Sequence, residues 1–561
     1  MEKSLGKGKG DKELGVGKKK VEKFVDRDFP GNETSLAKDF SLIDESLRAD
    51  WLGFGFKDID RIYPQPIRVF DRISPNDILQ GRLGNCYFLS ALSALAEFPQ
   101  RIMNCFDTQD YQESGKYTVK LFDSGIPITV TVDDYFPCTS EGKIAFSGPR
   151  TESGVTEIWV LILEKAWAKR FGSYWAIDKG AIEDVLRDLT GAPCENLLIE
   201  DSDLWHKVHS ANKRNFIVTA ARLSDENDDQ EREVSEKGLV NFHAYAVIDV
   251  RKVRSRRGRE RLVNIRNPWA KVEWNGDWAD GSDLWTDELK GKLGWTNEDD
   301  GSFWMNFEDF CKNYHRVTIC RVQDNYLYKG LTFTQDDERA SVFSAKVSET
   351  GRLYFMVAFE DNRKSGIRTE YPAIRIIVTQ KAPNGSLLRV SGQTTSNYRD
   401  SWVLIDADPG EYIIYLKISW TLTLTNKFGL STYSSSPTDI KEVSSKYPDF
   451  LDQVYSADLG RSTGQKNEVK PGVFYYQTVF DGPSTEDICQ FEGLYLDVFE
   501  NLTDSEKTLQ VTHQPFENLE VLGDFSQTSS YSIRLGPKEA LKVIKHKKDF
   551  SKPALAQIQV S

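Results

Sequence analysis

Residues 84–98, GNCYFLSALSALAEF, begin with a glycine-containing turn and continue as a run that is apolar on nearly every helical face. A helix that is apolar all round is buried, so this stretch predicts a core helix starting at Cys86. The N–H groups and macrodipole at a helix N-terminus favour a thiolate there by about 0.3–1 kcal/mol. Cys86 is therefore a candidate nucleophile, although a lone thiol in such a helix is more often a core residue.

Further along, 157–170 (EIWVLILEKAWAKR) predicts a second helix, and β-branched and aromatic runs from position 216 onward predict a sheet. His243 stands inside one of these strand-like runs, and Asn267 opens an Asn-Pro-Trp tripeptide after the next. Residues 251–261, RKVRSRRGRER, predict an exposed hairpin between the two runs. Pairing of the runs would bring His243 and Asn267 together.

A Cys–His–Asn triad needs a nucleophile on a helix, a base on a strand and an orienting amide on a neighbouring strand or loop. Cys86, His243 and Asn267 follow one another in that order. Gln80, shortly before the cysteine, has a side-chain amide that could donate to an oxyanion. The order and spacing of these residues favour nucleophilic catalysis more than any one of them does alone.

Composition limits the other possibilities. The net charge of −13 argues against nucleic acid as a general partner, because phosphate binding needs a basic surface. No apolar run is long enough to cross a bilayer. The seven cysteines include no C-x-x-C pair, which disfavours a zinc or redox dithiol site. The first residues lack the apolar segment of a secretion signal, so we expect a reduced, cytoplasmic location.

The organisation of the 561 residues suggests several domains, since single cores stop growing near roughly 250–300 residues. Residues 1–24 are Lys- and Gly-rich with almost no bulky apolar side chains, which predicts a disordered tail. From position 326 onward, short strand-like pieces recur in the rhythm of an antiparallel sandwich. A polar stretch, 435–464, predicts a connector, and a second, less regular β domain follows it.

Seven segments, in the same order, resemble the calpain family of cysteine proteases. The resemblance covers about residues 24 to 322. The segments are FVDRDFPGNETSL (24–36), NDILQGRLGNCYFLSALSAL (76–95), LEKAWAKRFGSYWAI (163–177), DVLRDLTGAP (184–193), GLVNFHAYAVIDV (238–250), RNPWAKVEWNGDWADGSDLW (266–285) and DDGSFWMNFEDFCKNYHRVTICRV (299–322).

The resemblance implies an α+β multidomain chain, with a two-lobed papain-like protease core followed by one or two antiparallel β-sandwiches. Its implied domains are a tail (1–24), a first lobe with the Cys86 helix (25–190), a second lobe with the His243 and Asn267 sheet (191–322), a calpain-type β-sandwich (325–440) and a second sandwich-like domain (450–561). Residues 326–440 are similar to the family's sandwich. No segment after 322 matches an EF-hand loop, so the family's calcium-binding helical domain is expected to be missing.

For the site, the resemblance implies Cys86, His243 and Asn267 as the triad and Gln80 as the oxyanion-hole amide. Trp269 matches the tryptophan that shields the triad and can obstruct the cleft, and Gly180 matches a cleft glycine. Family cores bind two calcium ions. Asp77 and Glu164 match acids of the first site, and the second is matched by Glu273, Asp280 and Asp300.

Several positions depart from the family pattern. Phe242 and Lys179 stand where glycines let the substrate backbone approach, so they alter the predicted cleft. Ser302 replaces a Glu of the second calcium site, which removes one charge there. The other departures are Asn85 and Tyr87 in place of Asp and Trp beside the cysteine, and Arg72 in place of a Gly near the first calcium site.

We therefore expect a calcium-dependent cysteine endopeptidase that makes limited cleavages in intracellular proteins. One alternative is a catalytically silent calpain-like protein that binds calcium, lipid or partners. Another is a transglutaminase-like acyltransferase, which the Asn267-Pro268-Trp269 motif disfavours because that class usually completes its triad with Asp. The basic hairpin 251–261 and the acidic stretch 225–236 are either solvated loops or, for the hairpin, a contact for acidic protein segments or anionic lipid surfaces.

Overall fold

The computed structural model describes most of the chain. Its described residues are 21–149, 154–223, 234–269, 271–335, 340–364, 370–395, 398–419, 427–451, 453–454, 467–480, 494–517, 519–521, 530–538, 540–547 and 555–560. Of the predicted tail, only residues 21–24 fall among them, and most of the acidic stretch 225–236 lies outside them.

The first part of the chain is built around the Cys86 helix, which runs from Cys86 to Ala96 and is buried from Tyr87 onward. Its neighbours include the helices Pro99–Asn104, Trp159–Phe171 and Ile182–Thr190. The predicted second helix thus begins two residues later than expected, because Thr156–Glu157 pairs as a short strand. Shorter helices precede the Cys86 helix at Glu33–Leu36, Glu45–Leu52 and Ile59–Ile62, with single turns at Phe40–Leu42, Pro75–Asp77 and Trp175–Ile177.

Small strand pairs surround these helices. Apolar side chains of the pairs and the helices form one continuous core, which includes Phe88, Trp159 and Trp167. The antiparallel pairs are Gly55–Asp58 with Tyr135–Cys138, Ile78–Leu79 with Gly148–Pro149, and Tyr117–Asp123 with Ile126–Val132; Ile67–Arg68 pairs in parallel with Thr156–Glu157.

A six-stranded antiparallel sheet follows, as the alternating apolar runs predict. At its centre lies the His243 strand (His243–Ser255), paired with the return strand (Gly258–Arg266). In sheet order the strands are Ser302–Asn306, Gly258–Arg266, His243–Ser255, Ile217–Arg222, Arg316–Cys320 and Cys194–Leu198. The helices Leu204–Lys213, Asp287–Leu293 and Phe307–Asn313 accompany this sheet.

Two further antiparallel sheets lie between residues 327 and 442, and their apolar faces contribute to a shared core that includes Phe343, Phe355 and Ile376. One sheet has the strand order Leu327–Thr334, Lys427–Ser434, Gly351–Ala358 and Asp400–Ala407. The other has the order Leu387–Thr395, Ala373–Lys381, Gly410–Ser419, Ser341–Val347 and Thr438–Glu442. Single turns occur at Asn362–Lys364 and Ser444–Lys446.

The last described strands form a five-stranded and a three-stranded sheet. Their core includes Val473, Phe499 and Leu509. The first sheet contains Asn467–Lys470, Val473–Phe480, Leu494–Asn501, Ala540–Lys547 and Leu519–Val521, and the second contains Ser530–Leu535, Lys507–Glu517 and Leu555–Val560.

The expectation of a mixed helix-and-sheet chain with several antiparallel sheets is confirmed. The expected connector differs, because its residues Thr438–Glu442 form an edge strand and Val443, Phe450 and Val454 pack in an apolar cluster beside the same sheet. Because few side chains of Thr438–Glu442 are buried, this strand has a polar composition, and its sequence therefore predicts a connector. Among the described residues, no helix is both long and apolar enough to cross a membrane.

Candidate active site

Cys86 is the first residue of its helix and is only partly buried, whereas the ten residues after it are buried. Asn85 stands at the N-cap, and its side chain accepts no hydrogen bond from a helical N–H. The Cys86 thiol therefore lies at the positive end of the helix macrodipole and within reach of solvent. Both features favour a reactive thiol over an inert core one.

His243 and Asn267 lie side by side, as the hairpin predicts. His243 opens its strand, Asn267 follows the last residue of the return strand, and His243 Nε2 is 2.8 Å from Asn267 Oδ1. His243 is 3% exposed and Asn267 is fully buried. Removal from water strengthens this hydrogen bond.

The orientation of the Asn267 amide fixes the tautomer of the imidazole. Its Nδ2 donates to the carbonyls of Lys271 and Val272, at 2.9 and 3.1 Å, so its Oδ1 must face the ring. Because Oδ1 can only accept, His243 Nε2 must carry a hydrogen. Nδ1 is then the ring nitrogen left for proton exchange with a nucleophile.

Val272, which accepts one of these bonds, has a φ of 65°. A β-branched residue in the left-handed region is a genuine outlier, and such strain persists where surrounding contacts over-determine the backbone. The strained turn directs its carbonyl at the Asn267 amide. Sequence patterns gave no sign of this support.

Trp269 contacts both sides of the candidate site. Its ring centroid lies 4.9 Å from that of His243, and its indole N–H donates to Gln80 Oε1 at 2.8 Å. Gln80 in turn donates through Nε2 to the Leu83 carbonyl at 2.8 Å. The predicted oxyanion amide and the predicted shielding tryptophan are thus directly bonded to each other.

Two serines, which the sequence analysis did not single out, bind the Cys86 helix to the sheet. Ser90 donates to the Ala244 carbonyl at 2.7 Å, and Ser93 accepts from Arg266 Nη1 at 3.0 Å. Ala244 follows His243 and Arg266 precedes Asn267, so each serine fixes the helix next to one candidate partner of Cys86. The signal was available, since small polar residues in an apolar helix need buried partners.

A cavity of about 290 Å³ has both Cys86 and His243 in its wall. Lys179, Gly180 and Phe242 line it as well, which places every predicted cleft residue except Trp269 at one opening. Lys179 and Phe242 have φ values of 70° and 47°. The backbone at these two positions therefore keeps a glycine-like conformation, and each side chain adds bulk at the opening.

The second set of predicted calcium ligands is electrostatically strained. Burial raises the pKa of Glu273 to about 7, and repulsion from Asp280 and Asp300 adds to the rise. Burial and repulsion from Asp300 raise the pKa of Asp280 to about 6. Hard carboxylate oxygens held against mutual repulsion fit a calcium ion. Glu273 also accepts from the Gly301 N–H at 2.8 Å.

The first set is arranged differently. Asp77 accepts from the Ser74 N–H at 2.6 Å and closes its own turn. Glu164 is 2% exposed and accepts from Asn85 Nδ2 at 2.7 Å and from the Ser147 N–H at 3.2 Å. Burial raises the pKa of Glu164 to about 7 although both groups donate to it. Because Asn85 Nδ2 already donates to Glu164, a calcium ion bound by Glu164 would have to displace that amide, as an ion at Asp300 would have to displace the amide of Asn76.

Within the described ranges, no three acidic, histidine or cysteine side chains converge closely enough to hold a metal ion. At the departures from the family pattern, Ser302 donates through its N–H to Asp300 at 2.8 Å, and the N–H of Arg72 donates to Glu157. The second set therefore supplies suitable donors but needs movement to form a coordination sphere.

The basic hairpin has like charges directly opposite each other, since Lys252 pairs with Arg261 and Arg254 with Arg259 across the two strands. Cross-strand pairs of one sign are destabilising. Arg261 also lies over the rings of Trp205 and Phe307. The hairpin tip is at the end of the His243 strand remote from His243.

The comparison with protein families gives one match in this part of the chain. A family model described as calpain family cysteine protease matches residues 24–321, which is more than half of the 561 residues. The matched range contains Cys86, His243, Asn267 and all the other predicted site residues.

Curated relatives agree with this match. Calpain-type cysteine protease ADL1 of Oryza sativa subsp. japonica is 36% identical over 317 residues, which cover 53% of this chain and 14% of the relative. Calpain-13 of Rattus norvegicus is 34% identical over 307 residues, covering 53% of this chain and 44% of the relative. The chain thus spans less than half the length of either protein.

Among solved structures, vicilin from Capsicum annuum covers 42% of this chain and 75% of its own, at 10% identity and a TM-score of 0.13. A likeness at that score carries no argument about fold or activity.

Proposed function

Because the chain belongs to the calpain family of cysteine proteases, we propose that it is a calcium-dependent endopeptidase that makes limited cleavages in intracellular proteins. The proposal assigns Cys86 as nucleophile, His243 as base and Asn267 as the orienting amide. The observation that carries it is the 2.8 Å contact of His243 Nε2 with Asn267 Oδ1 beside a cavity that Cys86 also lines.

The chemistry is acyl transfer. His243 takes the thiol proton on Nδ1, and the resulting imidazolium holds Cys86 as a thiolate, which a papain-like pairing achieves by lowering the thiol pKa to about 3–4. The thiolate attacks the peptide carbonyl carbon, and His243 returns the proton to the leaving amine. Water then attacks the thioester and releases the acid and the free thiol.

The Cys86 N–H and Gln80 Nε2 are proposed as donors to the oxyanion that forms during each attack. Trp269 supports this role. Its indole N–H donates to Gln80 Oε1, so Nε2 is the end of the amide that is left to donate to the oxyanion. Trp269 also covers one face of the His243 ring, which keeps water from the Asn267 bond.

Glu273, Asp280 and Asp300 are proposed as calcium ligands. A bound ion supplies positive charge that offsets the repulsion among the three carboxylates. Asp77 and Glu164 are proposed as acids of the first calcium site, where an ion would have to displace the Asn85 amide from Glu164.

We further propose that 25–190 and 191–322 act as the two lobes of a papain-like core, and that 325–440 and 450–561 are β-sandwich domains. The first assignment is supported by an apolar cluster within residues 197–319 that is distinct from the cluster around the Cys86 helix; the latter also takes in Ile217, Ala244 and Ala246 of the sheet. A cytoplasmic location is proposed because the described cysteines are all free thiols.

A catalytically silent calpain-like protein is the alternative function. It would keep the fold and the binding surfaces but not the reactive thiol. The intact Cys86, His243 and Asn267 favour the enzyme.

The test is cleavage of an unstructured protein such as casein by the full chain, with and without calcium. We expect cleavage in calcium, none in a chelator, and none by Cys86→Ser. Cys311→Ser, at a partly buried cysteine that is not among the residues lining the cavity, is the matched control and should retain cleavage. Equal cleavage by Cys86→Ser would refute the assignment.

A further inference from the structure

We propose that Arg363 is a positioning residue for the active site, through its hydrogen bond to Tyr87, the residue next to the nucleophile. The inference rests on the proposed protease function and names a residue outside the matched family region that regulates the same site. Arg363 lies in the turn Asn362–Lys364, beyond residues 24–321.

The Arg363 guanidinium is held firmly. Asp361 accepts from its Nε at 3.0 Å and from its Nη2 at 2.6 Å, which is the two-point geometry that fixes a guanidinium in its plane. The ring of Phe171 lies below it, with its centroid 4.4 Å from Arg363 Cζ. The side chain is 18% exposed and Asp361 is 4% exposed. Arg363 is therefore a preorganised donor.

Its remaining nitrogen reaches Tyr87. Arg363 Nη1 donates to the Tyr87 hydroxyl at 3.0 Å, and Trp167 Nε1 donates to the same oxygen at 3.3 Å. With both acceptor positions used, the hydroxyl donates its own hydrogen to the Ile177 carbonyl at 3.1 Å. Burial raises the pKa of Tyr87 to about 12, so the phenol keeps that hydrogen at neutral pH.

Ile177 begins a short segment, 177–180, whose last two residues, Lys179 and Gly180, line the cavity. The segment is bonded to the turn before Cys86, since Gly84 donates to Asp178 Oδ1 at 2.6 Å and accepts from the Lys179 N–H at 3.0 Å. Tyr87 thus holds the segment at one end while Gly84 holds it in the middle. Both holding residues are within two positions of Cys86.

Close packing leaves no room for a side chain at Gly180. A Cβ added there would lie 2.5 Å from the Tyr87 ring and 2.9 Å from Arg363 Nη1. The backbone of this cleft residue therefore rests directly on the Tyr87–Arg363 pair. If Arg363 moves, Gly180 and the turn before Cys86 lose their common support, and a displacement of about 1 Å at a reacting group can cost about 10²-fold in rate.

The same turn carries a built-in control. Lys364 also pairs with a residue of the first part of the chain, Asp123 at the end of the strand Tyr117–Asp123. It has no described contact with Tyr87 or Gly180. Lys364→Met removes an ion pair between the same two parts of the molecule without touching the support of the active site.

The experiment measures kcat and KM of the full chain per titrated active site, together with its melting temperature. The variants are Arg363→Met, Arg363→Lys, Tyr87→Phe, the Arg363→Met and Tyr87→Phe double variant, and Lys364→Met. We expect Arg363→Met and Tyr87→Phe each to lower kcat at least tenfold, with the double variant no slower than the worse single one. Arg363→Lys should recover part of the rate, and Lys364→Met should match the wild type within twofold.

Two outcomes overturn the inference. One is a lowered melting temperature with unchanged kcat per active site in both Arg363→Met and Tyr87→Phe. The other is losses that multiply in the double variant, since independent effects would mean that the Arg363–Tyr87 bond is not the connection. If Arg363→Met does not fold, Tyr87→Phe and Arg363→Lys give the same decision.

The rate of Cys86 alkylation by iodoacetamide, measured in the same variants, separates this inference from the proposed function. A wild-type chain that cleaves no protein but whose Cys86 alkylation slows in Arg363→Met, and not in Lys364→Met, would reject the protease and retain the positioning role. A wild-type chain that cleaves protein, with kcat and alkylation unaltered by Arg363→Met, would reject the positioning role and retain the protease.

Discussion

Asn267 Oδ1 holds Nε2 of the His243 ring, which leaves Nδ1 as the nitrogen that exchanges the proton in the proposed mechanism. The Asn267 amide is itself fixed by two backbone carbonyls, one of them on the strained residue Val272. The two carbonyls can only accept, so Asn267 Nδ2 donates to them and Asn267 Oδ1 accepts from His243 Nε2. The position of the hydrogen on the His243 ring thus follows from the two backbone carbonyls that orient the Asn267 amide.

Asn267→Ala should lower kcat by about 10²-fold, the lower end of what a positioned acid–base group contributes, and should change KM little. The reason is that the ring loses the acceptor that selects its tautomer. Steady-state kinetics on a peptide substrate measures both constants. Asn275→Ala, at an exposed amide on the same loop, should leave them unchanged; an equal loss in both variants would contradict the role of Asn267.

Phe242→Gly should open the cleft at little cost in stability. A left-handed φ of 47° disfavours any side chain by about 1–2 kcal/mol, so removing the ring relieves strain while it loses partial burial. We expect a higher kcat/KM for peptides with bulky side chains beside the cleaved bond, relative to small ones. Tyr398→Gly, at an exposed aromatic without a left-handed backbone, should not change that ratio. An unchanged ratio in Phe242→Gly would contradict the assignment of Phe242 to the cleft.

The second calcium set can be tested by binding rather than by activity. Calcium should raise the melting temperature of the wild type, because a ligand that binds only the folded state stabilises it. Asp280→Asn should reduce that rise, since it removes one hard oxygen charge, while the exposed Asp283→Asn should keep it. The same calcium-induced rise in all three proteins would place the ion elsewhere.

At the scale of elements, the Cys86 helix and the hairpin that carries His243 and Asn267 meet through two serine hydroxyls. Ser90 bonds to the backbone of the His243 strand, and Ser93 accepts from the last residue of the return strand. The helix that begins with Cys86 is therefore fixed in rotation as well as in position relative to the His243 hairpin.

Ser90→Ala should reduce the free energy of unfolding by about 1–2 kcal/mol, because the buried Ala244 carbonyl loses a donor. It should also lower kcat, since one of the two hydrogen bonds that fix the rotation of the helix is then lost. Denaturant titration gives the first quantity and kinetics the second. Ser348→Ala, at an exposed loop, should change the free energy of unfolding by no more than about 0.5 kcal/mol and should leave kcat nearly unchanged. A stable, fully active Ser90→Ala chain would contradict the link.

The helix, the hairpin and the His243–Asn267 contact could be predicted because each depends on local periodicity or on strand pairing between near neighbours. The Tyr87–Arg363 bond could not, since it joins residues far apart in sequence and from different parts of the fold. Thr438–Glu442 was predicted as connector because an edge strand with two buried residues has a polar composition. Calcium binding by Glu164 stays a prediction, and the sequence gave no sign that Asn85, a departure from the family pattern, donates to its carboxylate.

At the scale of the whole molecule, buried ion pairs join the helical part to the sheets of residues 327–442. Asp188 of the helix Ile182–Thr190 accepts from Arg399 Nη1 at 2.9 Å, and Arg187 pairs with Asp400. Breaking one partner of such a network leaves a charge buried without compensation. The sheets are therefore bound to the protease part by buried ion pairs as well as by the hydrogen bond from Arg363 to Tyr87.

The ion pairs of Asp188 should make stability fall in acid. Burial opposes ionisation of Asp188, but the guanidinium groups of Arg170, Arg399 and Arg187 outweigh it and lower its pKa from 3.8 to about 2. A depressed pKa stabilises the fold above the unfolded value, and that contribution of about 2 kcal/mol is lost as pH falls from about 4 to 2. Asp188→Asn should flatten the dependence of the unfolding free energy on pH in that window. The exposed Asp406→Asn should keep the wild-type slope, and an unchanged slope in Asp188→Asn would contradict the role of the network.

The central claim is that His243 holds Cys86 as a thiolate, and the rate of Cys86 alkylation by iodoacetamide as a function of pH measures this most directly. Mass spectrometry of the full chain in calcium can follow that one thiol among the others. We predict that the wild type reacts at an undiminished rate down to about pH 5, and that in His243→Ala the rate rises only near pH 8.5, the value of an ordinary thiol. A single rise near pH 8.5 in both proteins would contradict the claim.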